Sequence, residues 1–353
     1  IHNQGGVLSA NHTSIDTKDL RNGGIIQADV LAIKQQADYT HTDNDKLLAN
    51  SLQLSTDGKI ANQSQLTANQ DLTLVANHID NTQTGTISSG NHTQITSQTS
   101  INNQGLINGE TTVLKANDTI NNKSGGRIYG THLAIQADTL NNTPAKVKES
   151  DSKYTAPVIA ARERLDIGVK MLNNNPNPDR AGKFNENCDN QALITSLGSL
   201  HIGGNLDDNH YATGKAGAVI NKGATIESGG EMVVGTSVLK NENADFATKT
   251  QSSSENIAVY HANGRIYTPN EVSITPVGHN HRILPLIIKN SNNEEYRTYD
   301  RWNYKEILTW EETDVSDPSR IVSGGDLTVD IDQFNTNKSQ VIAGGKITLT
   351  GKV

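Results

Sequence analysis

Residues 101–142 read INNQGLINGETTVLKANDTINNKSGGRIYGTHLAIQADTLNN, and this stretch decides the fold. An aliphatic residue followed two positions later by asparagine recurs in it, beginning at Ile101, Ile120 and Leu140, at intervals of 19 and 20 residues. Two further short apolar segments follow each of these units in phase, separated by Asn, Gly and Gln. Three short strands in each 20-residue unit are typical of a parallel β-helix, in which every coil buries its inner face against its neighbours.

The same unit occurs through the first 145 residues, where its other members are Ile1-His2-Asn3, Leu20-Arg21-Asn22, Ile60-Ala61-Asn62 and Ile79-Asp80-Asn81. Successive intervals are 19, 40, 19, 22, 19 and 20 residues, so one coil is about 20 residues long and the interval of 40 holds two. Because crossovers between parallel strands are right-handed, we expect seven coils of a right-handed parallel β-helix at 1–145. Five aliphatic residues should point inward and stack on their equivalents one coil away: Ile101, Leu114, Ile120, Leu133 and Leu140.

The repeat becomes irregular after residue 145 and is absent between 245 and 317. It returns in two segments that lie 20 residues apart, IVSGGDL at 321–327 and VIAGGKI at 341–347. We therefore predict an all-β chain with a large non-repeat β insertion near its C-terminal end. Its three regions are β-helix repeats at 1–145, an irregular region at 146–318 with its largest insertion at 245–317, and resumed repeats at 319–353.

Composition narrows the class of protein. The hydrophobic fraction is 34% and the mean hydropathy is −0.55, which suits a thin core one side chain deep. A net charge of −8 argues against a nucleic-acid partner, because a binder of phosphates needs a basic surface. The single cysteine, Cys188, allows no internal disulfide bond, and no apolar run approaches the roughly 18 residues of a membrane-spanning helix.

The insertion concentrates aromatic residues. Five of the 14 in the chain lie between 296 and 310, and arginines lie among them. Tyr and Trp combine rigid apolar area with a polar tip, which is the chemistry of binding hot spots. These rings either form the small core of the insertion or contact a partner, and we expect at least one or two to be exposed anchors. The candidate receptor-binding residues are Tyr296, Tyr299, Trp302, Tyr304, Trp310, Arg297 and Arg301. The segment around Asn290–Asn293 predicts a β-hairpin turn.

No other pattern predicts a catalytic, cofactor or metal site. Ser237 and Lys240 have the spacing of a serine acyltransferase motif. That motif needs an α-helix, whereas these residues lie in a predicted coil of the β-helix. His279 and His281 have no third metal ligand at a recognised spacing. Cys188 has no neighbouring His or Cys to activate it. We therefore expect a protein that binds by surface contact and is not an enzyme.

Two resemblances extend this interpretation. The Asn/Gly/Ile coils resemble the filamentous haemagglutinin-type repeats of large exoproteins that are exported by two-partner secretion. Part of the remaining chain is similar to the central region of CdiA-type effectors of contact-dependent growth inhibition. The matching segments are ARERLDI at 161–167, SLHIGGNLD at 199–207, ATIES at 224–228, residues 296–310, and DPSRIVSGGDL at 317–327.

The resemblance to CdiA-type effectors implies a secreted, cell-surface protein whose central region binds a receptor on the outer membrane of a target bacterium. That receptor would be a β-barrel protein or lipopolysaccharide. It also implies an outer-membrane transporter as the partner during export, and we expect a monomer without a cofactor. One alternative is a haemagglutinin-type adhesin that binds host glycan or matrix. The least favoured is a β-helical polysaccharide lyase or hydrolase, because the outward residues of the coils are mostly Asn, Gln, Thr and Ser rather than clustered charges.

Overall fold

The structure is a computed structural model that describes residues 1–146, 155–175, 191–276 and 286–351. The chain divides into two compact units. The coil unit contains Ile1–Phe246 and Val315–Val353, and the insertion unit contains Ala247–Asp314. Within the described residues, the structure contains no helix that is both long and apolar enough to cross a membrane.

The chain is all-β. The strands up to the insertion are β1 His2–Asn3, β2 Val7–Thr17, β3 Arg21–Asn22, β4 Ile25–Gln35, β5 Tyr39–His41, β6 Lys46–Thr56, β7 Lys59–Asn62, β8 Gln65–Ala68, β9 Asp71–Asn81, β10 Thr86–Ser89, β11 His92–Asn103, β12 Leu106–Asn108, β13 Thr111–Ala116, β14 Thr119–Lys123, β15 Arg127–Thr143, β16 Val158–Asn174, β17 Leu193–Ser196, β18 Ser199–Gly203, β19 Asn205–Leu206, β20 Ala212–Thr213, β21 Ala216–Lys222, β22 Thr225–Ser228 and β23 Met232–Glu242. The insertion contributes β24 Phe246–Ala262, β25 Arg265–Tyr267, a 3₁₀ turn at Pro269–Glu271, β26 Val272–Pro276, β27 Leu286–Asn290, β28 Glu295–Tyr296 and β29 Asp300–Ser316. The last strands are β30 Arg320–Ser323, β31 Leu327–Asn337, β32 Gln340–Ala343 and β33 Ile347–Thr350.

Strands of successive coils pair in parallel, with equivalent residues about 20 positions apart. Ile101 of β11 pairs with Ile120 of β14, and Ile120 pairs with Leu140 of β15. The predicted parallel stacking of repeats is therefore confirmed. Its right-handedness and the number of seven coils stay predictions.

The core is a column of aliphatic side chains, because strand alternation sends every second side chain inward. All five residues expected to point inward are fully buried, which confirms their assignment: Ile101, Leu114, Ile120, Leu133 and Leu140. In a parallel sheet each side chain lies over its equivalent in the next coil, so a repeat of similar residues packs without gaps.

A buried asparagine ladder runs beside this aliphatic column. Each Nδ2 donates to the Oδ1 of the next asparagine over 2.8–3.0 Å, through Asn62, Asn81, Asn103, Asn122, Asn142, Asn174, Asn221 and Asn241. The second Nδ2 hydrogen reaches a backbone carbonyl, as in the 3.1 Å bond from Asn122 to Val158. Because burial of an unpaired amide is costly, this double use of Nδ2 explains why the repeat specifies asparagine there.

Long excursions leave the ladder continuous. Asn142 and Asn174 are 32 residues apart, and Asn174 and Asn221 are 47 apart, yet both pairs are hydrogen-bonded. The insertion unit leaves the coils after β23 and the chain returns at β30. Ile226 then pairs with Ile321, so coils separated by 95 residues in the sequence are direct neighbours.

Candidate functional site

The insertion unit is organised around two long neighbouring strands. β24 and β29 each contain 17 residues, and they lie side by side in a three-stranded sheet in the order β25, β24, β29. Lys249 near the start of β24 forms an ion pair with Asp314 near the end of β29, over 3.2 Å. His261 near the end of β24 stacks on Trp302 near the start of β29, with ring centroids 5.7 Å apart. These contacts show that the two strands run in opposite directions.

β29 carries a row of exposed aromatic and aliphatic side chains. Strand alternation places Trp302, Tyr304, Leu308 and Trp310 on one face. Their exposed fractions are 53%, 48%, 63% and 46%, and Ile307 on the other face is 60% exposed. We call the four residues on one face the aromatic row. Exposed Glu306 lies on the same face between Tyr304 and Leu308. Large apolar side chains that are exposed in a group, rather than singly, make this face a candidate interaction surface.

A small hydrophobic cluster lies near one end of these strands. Tyr260 and Tyr267 are buried in it, and Tyr296 and Tyr299 pack against it. Tyr299 meets Tyr260 edge to face, with the ring centroids 5.8 Å apart. Edge-to-face contacts of this kind stabilise a packed core beyond the effect of buried area. Tyr296 and Tyr299 therefore support the unit from within, whereas the aromatic row faces outward.

The turn beside Tyr296 is fixed by hydrogen bonds. β27 and β28 pair antiparallel across it, which confirms the predicted hairpin. The side chain of Asn290 accepts bonds from the backbone N–H groups of Asn292 (3.0 Å) and Glu294 (2.9 Å). Asn293 adopts the left-handed conformation, with φ of 63°, which asparagine tolerates better than most residues.

The hydroxyl of Tyr296 links the hairpin turn to the cluster. It lies 3.1 Å from the hydroxyl of Tyr267 and donates to Glu294 over 2.8 Å. The bond with Tyr267, followed by the bond with Glu294, raises the pKa of Tyr296. Hydrogen bonds from Asn290 and Tyr296 lower the pKa of Glu294. At neutral pH the tyrosine is therefore a neutral donor to an ionised carboxylate, which is a structural role.

The predicted site residues thus fall into two groups. Trp302, Tyr304 and Trp310 are exposed, and so are Arg297 and Arg301. The guanidinium carbon of Arg301 lies 6.0 Å from the ring centre of Tyr260. Tyr296 and Tyr299 belong to the internal cluster. The structure brings all seven residues into one unit but exposes only five of them.

A second structured surface, on the coil unit, has no counterpart in the sequence-based predictions. β19 and β20 form a short antiparallel hairpin, and Leu206 and Ala212 pack on Val113 and Ala134 on the outer side of the coils. Asp207 shapes the hairpin tip by accepting bonds from the backbone N–H groups of Asn209 and Tyr211, over 2.9 and 2.8 Å.

Asp166 of β16 holds this hairpin in place. Its fully buried carboxylate accepts two bonds from Arg164, over 2.6 and 3.0 Å, and one from the backbone N–H of Ala212, over 2.8 Å. His132 Nε2 lies 3.1 Å away. Burial alone would raise the pKa of Asp166, but the bonds with His132 and Arg164 outweigh burial and bring the pKa to about 2. The guanidinium of Arg164 also lies 4.2 Å from the ring centre of Tyr211, which fixes the hairpin through a second contact.

Neither surface has the chemistry of a metal site. In the part of the chain that the structure describes, no three His, Cys, Asp or Glu side chains come together to hold a metal ion. His279, His281 and Cys188 lie outside the described residues. Ser237 and Lys240 lie in β23, a strand and not the helix that an acyltransferase motif requires.

Comparison with known proteins gave one match. The haemagglutinin repeat family matches residues 312–353. This segment contains β30 to β33, in which the coils resume, and the match supports a filamentous haemagglutinin-type assignment for these repeats. No curated protein and no solved structure matched the chain.

Proposed function

We propose that this chain is a receptor-binding part of a two-partner-secretion exoprotein, and that the aromatic row of the insertion unit contacts the receptor. Haemagglutinin-repeat proteins are secreted or cell-surface adhesins exported by a transporter partner. In this proposal the coils are a scaffold, and the chain acts as a monomer without cofactor or turnover.

The exposure of the aromatic row is the observation that carries the proposal. The coils present mainly small polar side chains, which offer little to discriminate one receptor from another. Trp302, Tyr304 and Trp310 instead present rigid rings with few rotatable bonds, so their burial against a partner costs little side-chain entropy. Arg297 and Arg301 of the same unit are also exposed, and their guanidinium groups supply donors that suit carboxylates or phosphates on a partner.

The similarity to CdiA-type effectors favours a receptor on the outer membrane of target bacteria, either a β-barrel protein or lipopolysaccharide. The region 146–318 would then be the receptor-binding region, between repeats at 1–145 and 319–353. A haemagglutinin-type adhesin that binds host glycan or matrix is the alternative, since the repeat match is common to both. An enzyme acting on polysaccharide ranks last, because the outward residues of the regular coils are mostly Asn, Gln, Thr and Ser rather than clustered charges.

The test is binding of the purified chain to intact target bacteria, to host cells, and to vesicles of lipopolysaccharide alone. We expect Trp302→Ala and Trp310→Ala each to weaken binding to bacteria by roughly thirtyfold, about 2 kcal/mol, as for an interface anchor. Asn117→Ala, at an exposed position of the coil unit, is the matched control. Undiminished binding by both tryptophan variants would refute the site, and binding to host cells but not bacteria would favour the adhesin alternative.

A further inference from the structure

The coil unit contains a groove that is separate from the aromatic row. It has a volume of about 640 Å³ and lies on the outer side of the coils between residues 89 and 197. Tyr129, Ala160 and Thr195 form one side of it, and Glu110, Arg162 and Leu197 lie at the corners of the coils beside them. This volume is in the range of small-molecule clefts.

Unequal corner lengths create the groove. Between equivalent paired positions, two successive coils have two residues at this corner: Gly109 and Glu110 in one, and Gly130 and Thr131 in the other. The next coil has three residues at this corner, from Ala161 to Glu163, and the register shifts there relative to β15. The preceding coil also has three, from Ser89 to Asn91. Shorter corners between longer ones leave an indentation along the coils.

The row beside the corners alternates in size. Tyr129 pairs with Ala160, and Ala160 pairs with Thr195, so the three lie in register in adjacent coils. They point outward, because their neighbours Ile128 and Ile159 are fully buried. The small side chain of Ala160 leaves space next to the tyrosine ring. A ring beside a gap provides a platform on which a flat ligand can stack.

The polar side chains around the groove are available to a ligand. Within the described part of the chain, no hydrogen bond or ion pair engages the side chains of Tyr129, Glu110 or Arg162. Glu110 and Arg162 lie two coils apart, about 10 Å at the usual strand spacing, and do not pair with each other in the structure. One acceptor and one donor group therefore remain available on either side of Thr131. Leu197, 73% exposed, adds an apolar contact.

The backbone here has no free edge for an added peptide strand. β15 pairs with β12 on one side and with β16 on the other, so we expect side chains to provide the specific contacts with a ligand. A pyranose ring offers an apolar C–H face for the tyrosine and hydroxyls that both donate and accept hydrogen bonds. Because the two charges at the groove are opposite, they favour a ligand without net charge. We propose that this groove binds a neutral oligosaccharide, independently of the receptor contact proposed for the insertion unit.

The experiment uses the whole 353-residue chain with three neutral trisaccharides as probes, maltotriose, cellotriose and chitotriose, in saturation-transfer NMR. We expect at least one of them to bind, Tyr129→Ala to weaken it about tenfold or more, and Tyr129→Phe to retain it because the ring persists. Ala160→Leu should fill the gap and weaken binding to a similar extent. Trp302→Ala is the matched control, since it removes a ring from the other surface and should leave this binding unchanged.

Two outcomes would overturn the assignment. The first is that none of the three trisaccharides binds, or that a trigalacturonate binds and they do not. The second is that binding persists in both Tyr129→Ala and Ala160→Leu. Loss of binding counts only for variants whose circular dichroism and melting temperature match the parent, and Ala160→Leu keeps the test decisive if Tyr129→Ala misfolds.

Discussion

β15 and β29 are both 17-residue strands, and they differ in almost every other respect. β15 has parallel partners on both sides, and Ile128, Leu133 and Leu140 within it are fully buried. β29 is the last strand of its sheet and is exposed along nearly its whole length, including Trp302 and Trp310. About half of each of these rings remains exposed, and that exposed apolar area is not explained by stability. The comparison supports the proposal that the coils provide stability and that the aromatic row contacts the receptor.

The largest effect on this comparison should come from a charge placed in the coil core. Ile120 is fully buried and pairs with Ile101 and Leu140 in the neighbouring coils. Ile120→Asp would bury a charge without a partner, and we expect a loss of several kcal/mol of unfolding free energy and local separation of the coils. Asn117→Asp introduces the same charge at an exposed position of the same coil and is the control. Denaturant unfolding measures both. Equal stability of the two variants would mean that the assignment of Ile120 to the inner face of the coil is wrong.

The asparagine ladder should give the next largest effect. Asn122 accepts from Asn103 and donates to Asn142 and to Val158, so Asn122→Ala leaves buried polar groups unpaired. We expect a loss of about 1–3 kcal/mol for each group left without a partner. Asn121→Ala is the matched control, because that neighbour forms an outer, half-buried ladder where water can replace the bonds. Similar losses in the two variants would contradict a special role for the buried ladder.

How far the sequence predicts these features depends on how they repeat. The inward column and the asparagine ladder were predictable, because the same contact recurs in every coil. It therefore requires similar residues at a regular interval in the sequence. The hairpin at 205–213 was not, since it is held by contacts that occur only once, such as the bond between Asp166 and Ala212, 46 residues apart. For the aromatic row, the sequence predicts which residue types are concentrated in the insertion, but not which of them are exposed. Tyr299 packs inward and Trp310 is exposed because of tertiary contacts, and the spacing of residues in the sequence does not predict these contacts.

The bonds of the Asp166 carboxylate, which hold the hairpin, should make its stability depend on pH. The pKa of Asp166 is about 2 in the folded chain, below the roughly 3.9 of an unfolded aspartate. Its stabilising contribution is therefore fully present above about pH 4 and is lost as the pH falls toward 2. In Asp166→Asn we expect a loss of about 1–3 kcal/mol at neutral pH and a weaker dependence on acid. Hydrogen exchange at 205–213 between pH 5 and 2.5 measures this, with Asp138→Asn as the control, because Asp138 is half exposed and pairs with Lys170 away from the hairpin. A parallel acid response in Asp166→Asn and the parent would contradict the assignment.

The smallest effect on stability should come from the aromatic row, and this sharpens the comparison most. Trp310→Ala removes a large ring, yet the ring is 46% exposed and lies outside the hydrophobic cluster of the insertion unit. We expect a change within about 0.5 kcal/mol, as for surface substitutions, together with a loss of binding to target cells. Tyr299→Ala is the opposite case, since that ring packs on Tyr260 and its removal should destabilise the unit by about 1 kcal/mol or more. Hydrogen exchange in the insertion unit separates the two. If Trp310→Ala destabilised the unit as much as Tyr299→Ala, the exposed ring would be part of the fold, and the division between stability and recognition would fail.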